Sequence, residues 1–109
     1  MLDEQDFKRK ADDALEDLNE VLLDVADEHG FEVDFNAGAM TIEFDDPPAK
    51  FVVSPNTPPR QIWVSALSKS YKLDWSGEAG TFVLSNTGQS LKALIAEVVS
   101  LQLGQSVSF

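Results

Sequence analysis

The chain has 109 residues, 43% of them hydrophobic, with a formal net charge of −11 and no cysteine. This length suits one domain with one hydrophobic core, and the hydrophobic content excludes an acidic disordered tail. The absence of cysteine excludes disulfides, thiolate metal sites and a cysteine nucleophile.

The charge is distributed very unevenly along the chain. Residues 1–46 hold sixteen of the 19 carboxylates against three bases, a net charge of −13, whereas residues 47–109 hold three acids and five bases. A negative field of this strength attracts cations and basic protein surfaces, and it repels nucleic acid and anionic membranes. The apolar runs are short and the first residues are polar, so we expect no membrane span, no signal peptide and a cytoplasmic protein.

Residues 4–28 are predicted to form one long amphipathic helix. Apolar residues recur at three- and four-residue spacing from Phe7 to Val25, and Gly30 can end the helix in a left-handed conformation. His29, the only histidine, then lies at the C-terminus of the helix, where an interaction with the helix dipole is a commoner role than metal ligation. The opposite face carries carboxylates at Asp12, Asp13, Glu16, Asp17, Glu20, Asp24 and Asp27.

This row of acids has two interpretations. Like charges three or four residues apart destabilise a helix by about 0.2–0.5 kcal/mol per pair, and a solvated face that keeps the protein soluble is the usual reason to retain them. The row is one-sided, however, and it continues onto the next strands through Glu32, Asp34 and Glu43, which favours a binding role. Clustered carboxylates suit iron, manganese, calcium or magnesium. Because EF-hand spacing and a Glu-x-x-His pair are both absent, we predict an open surface that binds metal weakly.

Beyond Gly30 the apolar period changes from helical spacing to two, which predicts strands. We predict strands at residues 31–35, 40–44, 51–53, 61–66, 71–75 and 81–85, with a turn at 36–38, a loop at 45–48 and a rigid proline-rich connection at 54–59. A second helix is predicted at residues 89–103, with a buried stripe of Leu91, Leu94, Ile95, Val98 and Leu101. Strands between two terminal helices predict a single α+β domain over residues 1–109. It would be a two-layer α-β sandwich with both helices packed on one face of an antiparallel sheet of about six strands.

The fourth predicted strand places a tryptophan in an unusual setting. If Ile62 and Val64 face the core, Trp63 points outward between Gln61 and Ser65, whereas the opposite arrangement buries those two polar residues. An outward tryptophan with polar neighbours is typical of a partner-binding hot spot. The alternative is that Trp63 only packs against neighbouring side chains on the outer face. No pair of carboxylates stands out as an acid–base pair and no phosphate-binding loop is present, so we predict no catalytic residue and no enzyme activity.

Several segments together resemble the frataxin family, in its bacterial, CyaY-type branch. The resemblance runs the whole length of the chain, and its most specific part is the Pro-x-x-Gln-Ile-Trp-Val-Ser stretch at residues 58–65. The other matching segments are the acidic first helix from Leu2-Asp3-Glu4 and residues 35–38, 40–42, 73–77, 88–91 and 106–109.

This resemblance implies a fold and a function. It implies an α-β sandwich, weak and exchangeable binding of ferrous or ferric iron along the first helix and first strand, and a role in iron–sulfur cluster assembly. The implied partners are a cysteine desulfurase and an iron–sulfur scaffold protein. By position, the implied iron-binding residues are Glu4, Asp12, Asp13, Glu16, Glu20, Asp24, Asp27, Glu32 and Asp34. The implied partner-binding residues are Asp13, Glu16, Glu20, Gln61 and Trp63.

We therefore expect a monomeric regulatory adaptor that binds iron and docks on the desulfurase–scaffold complex through the acidic helix and Trp63. One alternative is an iron carrier, donor or store in which docking is incidental. A second alternative is an acidic decoy that mimics nucleic acid to occupy a basic protein, and Trp63 and the resemblance both argue against it.

Overall fold

The computed structural model describes residues 3–36, 38–45 and 48–108. Two helices enclose six strands in sequence. The elements are α1 (Glu4–His29), β1 (Phe31–Asn36), β2 (Ala39–Asp45), β3 (Pro48–Asn56), β4 (Gln61–Ala66), β5 (Lys69–Ser76), β6 (Thr81–Leu84) and α2 (Leu91–Leu103). The strands form one antiparallel sheet in the order β1 to β6, so each strand pairs only with its neighbours in sequence. Both helices cover the same face of this sheet, which confirms the predicted two-layer α+β sandwich. Among the described residues no helix combines the length and apolar character needed to cross a bilayer.

Local capping interactions set the ends of both helices. The side chain of Asp3 accepts a hydrogen bond from the Asp6 N–H at 2.8 Å, and α1 ends at Gly30, whose φ of 71° is left-handed. The first helix therefore reaches His29, one residue beyond the prediction. The side chain of Ser90 caps α2 by accepting from the Ala93 N–H at 3.2 Å, so α2 begins two residues later than predicted.

The core lies between the helices and the inner face of the sheet. Phe7 of α1 meets Phe82 of β6 in an edge-to-face contact with ring centroids 5.8 Å apart, and both rings are fully buried. The predicted buried stripe of α2 is wrong at one position. Leu101 is 65% exposed, and Val99 is buried instead. Leu101 lies at the outer edge of the arc that the other stripe residues define, so it turns toward solvent.

The third strand is longer than predicted and runs to Asn56, so the proline-rich connection to β4 occupies only residues 57–60. It pairs with β4 along this extension but with β2 only as far as Val53. Pro55 can therefore lie in the strand, because its missing N–H costs no hydrogen bond on a side without a neighbour. Asp45 and Pro48 pair at the ends of β2 and β3, so these two residues of the predicted loop are in strands. Residues 46–47 of that loop, and residue 37 of the 36–38 turn, lie outside the described residues.

A tight turn joins β4 to β5. Ala66 pairs with Lys69, so only Leu67 and Ser68 form the connection, with φ values of 54° and 64°. Both angles are left-handed, a conformation that glycine and asparagine adopt more easily than leucine or serine. The turn lets β5 begin two residues before the prediction and fixes which β5 residue lies opposite each β4 residue.

Candidate functional site

The predicted acids form a continuous exposed band on one side of the molecule. We call this band the acidic ridge. Its members all lie on the solvent side of α1 or on the outward face of the edge strand β1. They are Asp12, Asp13, Glu16, Asp17, Glu20, Asp24, Asp27, Glu32 and Asp34, and every one of them is exposed.

Very little basic charge opposes the ridge. The bases at the start of α1 are used locally, with Lys8 3.4 Å from Glu4 and Arg9 2.7 Å from Asp6. Lys10 shares a cleft with Asp13 and Asp17, but its ammonium is directed to the indole ring of Trp75, 4.5 Å from the ring centroid. Within the described parts of the chain, one ridge carboxylate forms an ion pair, Asp17 with Lys92 of α2 at 2.5 Å. The negative field of the ridge is thus left almost intact.

The far end of the ridge contains a cleft. It has a volume of about 480 Å³ and lies between the end of α1 and the edge strand β1. Four carboxylates line it, those of Asp27, Glu32, Asp34 and Glu43. Glu32 lies directly opposite Glu43 in the β1–β2 ladder, which brings two negative side chains together on the outer face. Carboxylate oxygens are the ligands that hard cations such as iron prefer.

The implied iron-binding residues do not converge on one point. Glu4 is in the first turn of α1 beside Lys8, whereas Asp27 is in the last turn. A helix of 26 residues is about 39 Å long at 1.5 Å per residue, so its two ends cannot contribute to one ion. No three His, Cys, Asp or Glu side chains in the described ranges are grouped closely enough to hold a metal ion. The ridge is therefore an extended open surface. His29 is the last residue of α1, near the predicted C-terminus of the helix, and is half-buried.

The outer face of β4 and β5 forms a second candidate surface. We call it the tryptophan face, made of Gln61, Trp63, Lys72 and Asp74. Ile62 and Val64 are fully buried while Trp63 is 37% exposed, which confirms the predicted outward orientation of the tryptophan. Trp63 pairs with Lys72 and Gln61 pairs with Asp74 across the two strands.

The side chains of the tryptophan face are held by specific contacts. The indole Nε1–H of Trp63 donates a hydrogen bond to Oε1 of Gln61 at 3.0 Å. The Nε2 of Gln61 donates in turn to Oδ1 of Asp74 at 3.1 Å. The Lys72 ammonium lies 4.9 Å from the centroid of the Trp63 ring, within range of a cation–π interaction.

Comparison with known proteins identifies the family. A model described as a frataxin-like domain matches residues 1–105. The chain belongs to the frataxin-like family.

Its relatives are of the bacterial CyaY type, as the resemblance predicted. The chain is 28% identical over 97 residues to an iron-sulfur cluster assembly protein CyaY from Azotobacter vinelandii, covering 87% of each chain. It is 27% identical over 99 residues to the protein of the same name from Pseudomonas putida, covering 89% of each. A frataxin structure from Psychromonas ingrahamii superposes with a TM-score of 0.77, covering 98% of this chain and 97% of that one at 20% identity. That structure supports the fold of this chain.

The structure adds residues to both surfaces that the sequence prediction did not include. Glu43 was placed on the acidic side of the hairpin but not among the iron-binding residues, although it lines the cleft. Lys72 and Asp74 were not among the predicted contact residues, although both touch the side chains around Trp63. The alternation of polar and apolar residues in β5 indicates their outward direction. Their partners become known only from the register that the Leu67–Ser68 turn imposes.

Proposed function

We propose that this chain is a non-catalytic adaptor of iron–sulfur cluster assembly. In this proposal the acidic ridge docks on a basic surface of the cysteine desulfurase, and the tryptophan face contacts the desulfurase–scaffold complex. The names of the CyaY relatives, which are iron-sulfur cluster assembly proteins, support the process. The observation that carries the docking role is that a single ion pair forms along the ridge among the described residues, because unpaired charge is what a basic partner can use.

The tryptophan face supports a second point of contact. A tryptophan that is partly exposed, with its indole N–H already bonded and its ring held by a neighbouring lysine, needs little rearrangement to bury its remaining surface. Tryptophan is among the residues most often found at the energetic centre of an interface. In this proposal the ridge attracts the partner electrostatically, and Trp63 then fixes its position by direct contact.

Reconstituted cluster assembly tests the proposal. Cluster formation on the scaffold is followed by absorbance, with purified desulfurase, cysteine and a fixed ferrous iron concentration, with and without this chain. We expect the chain to change the rate, and Asp13→Lys combined with Glu20→Lys to abolish that change. The matched control is Glu78→Lys with Glu97→Lys, which alters the net charge equally on exposed residues outside the ridge and should behave as wild type. Equal loss of the effect in both double variants would contradict docking by the ridge.

A second candidate function is iron carriage, and the cleft at the end of the ridge is the observation that favours it. Ferrous iron added to ¹⁵N-labelled protein should broaden the amide signals of ridge residues, most strongly near Asp27, Glu32, Asp34 and Glu43. Calcium or manganese should compete at the same signals, because the chain has no cysteine to prefer iron.

The two functions give different results in one further measurement. If Glu32→Gln with Glu43→Gln removes the iron-dependent broadening but leaves the effect on cluster assembly intact, docking is the function. If both are lost together while binding to the complex remains, iron delivery is the better account. Broadening confined to α2, or none at all, would contradict iron binding by the ridge.

A further inference from the structure

The polar side chains beside Trp63 form a chain of hydrogen bonds with one allowed direction. The indole nitrogen is a donor and never an acceptor, and an ionised carboxylate is an acceptor and never a donor. The amide of Gln61 lies between them, with its oxygen toward Trp63 and its nitrogen toward Asp74. With the amide reversed, two donors would face each other at Trp63 and two acceptors at Asp74. The groups at the two ends therefore select a single orientation of Gln61.

Asp74 is well placed to set this orientation. It lies directly opposite Gln61 in the β4–β5 ladder and is half-buried. Among the described residues, Asp74 is not part of an ion pair. Its observed hydrogen bond is the one it accepts from Gln61, and the neighbouring Lys72 is directed to the Trp63 ring instead of pairing with Asp74. The hydrogen bonds observed among the described residues connect Asp74 to Trp63 through Gln61.

We propose that Asp74 is a positioning residue for partner binding, which holds the Trp63 indole in its binding orientation by fixing the Gln61 amide. This inference rests on the proposed docking role of the tryptophan face. Lys72 restrains the ring from one side and the Asp74–Gln61 pair restrains its nitrogen. An exposed indole held in one orientation loses less freedom on binding than one that samples several rotamers, so the bound complex lasts longer.

The first test is made on the free protein. In Asp74→Ala the acceptor is lost, Gln61 can rotate, and the Trp63 indole N–H should exchange with water several times faster than in wild type. The indole N–H of Trp75 is an internal control in the same spectrum, because Trp75 lies on the inner side of the sheet against Phe82. Trp63→Phe assigns the two signals. Unchanged exchange at Trp63, or an equal change at Trp75, would overturn the proposal.

Asp74→Asn separates the hydrogen bond from the charge. Asparagine keeps an oxygen that can accept from Gln61 but carries no charge, so it should retain most of the Trp63 protection. If Asp74→Asn behaves like Asp74→Ala, the charge of Asp74 matters rather than its position as an acceptor, and the proposal is wrong. Gln61→Met breaks both hydrogen bonds at similar size, and adding Asp74→Ala to it should cause no further change.

The second test measures binding to the desulfurase–scaffold complex. Asp74→Ala should raise the dissociation rate roughly threefold to tenfold while the association rate stays unchanged, because the loss is one of side-chain ordering. An unchanged dissociation rate together with faster indole exchange would show that the orientation is irrelevant to the partner and overturn the positioning role. If wild-type protein itself does not bind the complex, the proposed function fails. The exchange measurement still decides whether Asp74 orients Trp63.

Discussion

The acidic ridge and the tryptophan face are constructed in opposite ways. The ridge holds nine exposed carboxylates with one ion pair among the described residues, whereas Gln61, Lys72 and Asp74 around Trp63 each have a defined partner at a defined distance. Charge acts over a distance of about 8 Å at physiological ionic strength, so the ridge can attract a partner without exact geometry. An aromatic contact acts only when surfaces touch, so Trp63 needs a fixed orientation. The molecule thus combines a surface suited to long-range electrostatic attraction with a surface suited to direct contact.

Charge reversal on the ridge should have the largest effect on partner binding. Asp13→Lys with Glu20→Lys should lower the association rate with the desulfurase–scaffold complex about tenfold to a hundredfold at low salt. The association rate of the variant should also vary less with salt concentration than that of wild type. Stopped-flow measurements over a series of salt concentrations test this, with Glu78→Lys and Glu97→Lys as the charge-matched control. An equal slowing in the control would show that net charge, and not the ridge, attracts the partner.

Removing the aromatic anchor should produce the complementary result. Trp63→Ala should weaken binding by about 1–3 kcal/mol, mostly through faster dissociation, and leave the salt dependence of association almost unchanged. Leu101→Ala is the matched control, because Leu101 is a large exposed hydrophobic residue away from the tryptophan face. Surface plasmon resonance separates the two rates. Unfolding of Trp63→Ala would contradict the outward placement of this side chain.

The turn that carries the tryptophan face offers a smaller effect on stability alone. Ser68 has a φ of 64°, and the left-handed conformation costs a non-glycine residue about 1–2 kcal/mol. Ser68→Gly should therefore raise the free energy of unfolding by about 1 kcal/mol, part of the relief being offset by the greater freedom of glycine in the unfolded chain. Ser70→Gly, in the ordinary strand conformation of β5, should lower it. Urea unfolding of both variants tests this, and destabilisation by Ser68→Gly would show that the serine makes a compensating contact.

The smallest expected effect concerns repulsion within the ridge. Glu16 is three or four residues from Asp12, Asp13 and Glu20, so Glu16→Lys should stabilise the fold by about 0.2–0.5 kcal/mol for each repulsive pair that becomes attractive. Asp13→Lys should act in the same direction. Thermal unfolding at low and high salt measures the effect, which salt should reduce. A lower melting temperature at low salt would mean that these carboxylates are favourably paired in the folded protein.

The features that follow from the local sequence pattern could be predicted. The features that depend on which strand residues lie opposite one another could not. The alternation around Trp63 predicted its outward direction, and the spacing of acids on α1 predicted the ridge. The Asp74–Gln61–Trp63 contacts were missed because strand register is set by the Leu67–Ser68 turn, and neither residue is typical of such a turn. The length of β3 was underestimated because Pro55 normally indicates a loop. It is tolerated here because the pairing of β3 with β2 stops at Val53, so β2 does not pair with Pro55.

The uncrossed order of the strands has a consequence for how the chain folds. Every strand pairing joins neighbours in sequence, so each hairpin closes a short loop at a small entropic cost. The contact between Phe7 and Phe82 instead closes a loop that contains most of the chain. The β1–β2 hairpin carries the strand part of the ridge, and the β4–β5 hairpin carries the tryptophan face. The strand register of each hairpin is set by its own pairing and does not require the contact between Phe7 and Phe82. Each surface therefore takes its strand register from its own hairpin, although both hairpins are stabilised by the one hydrophobic core that they share.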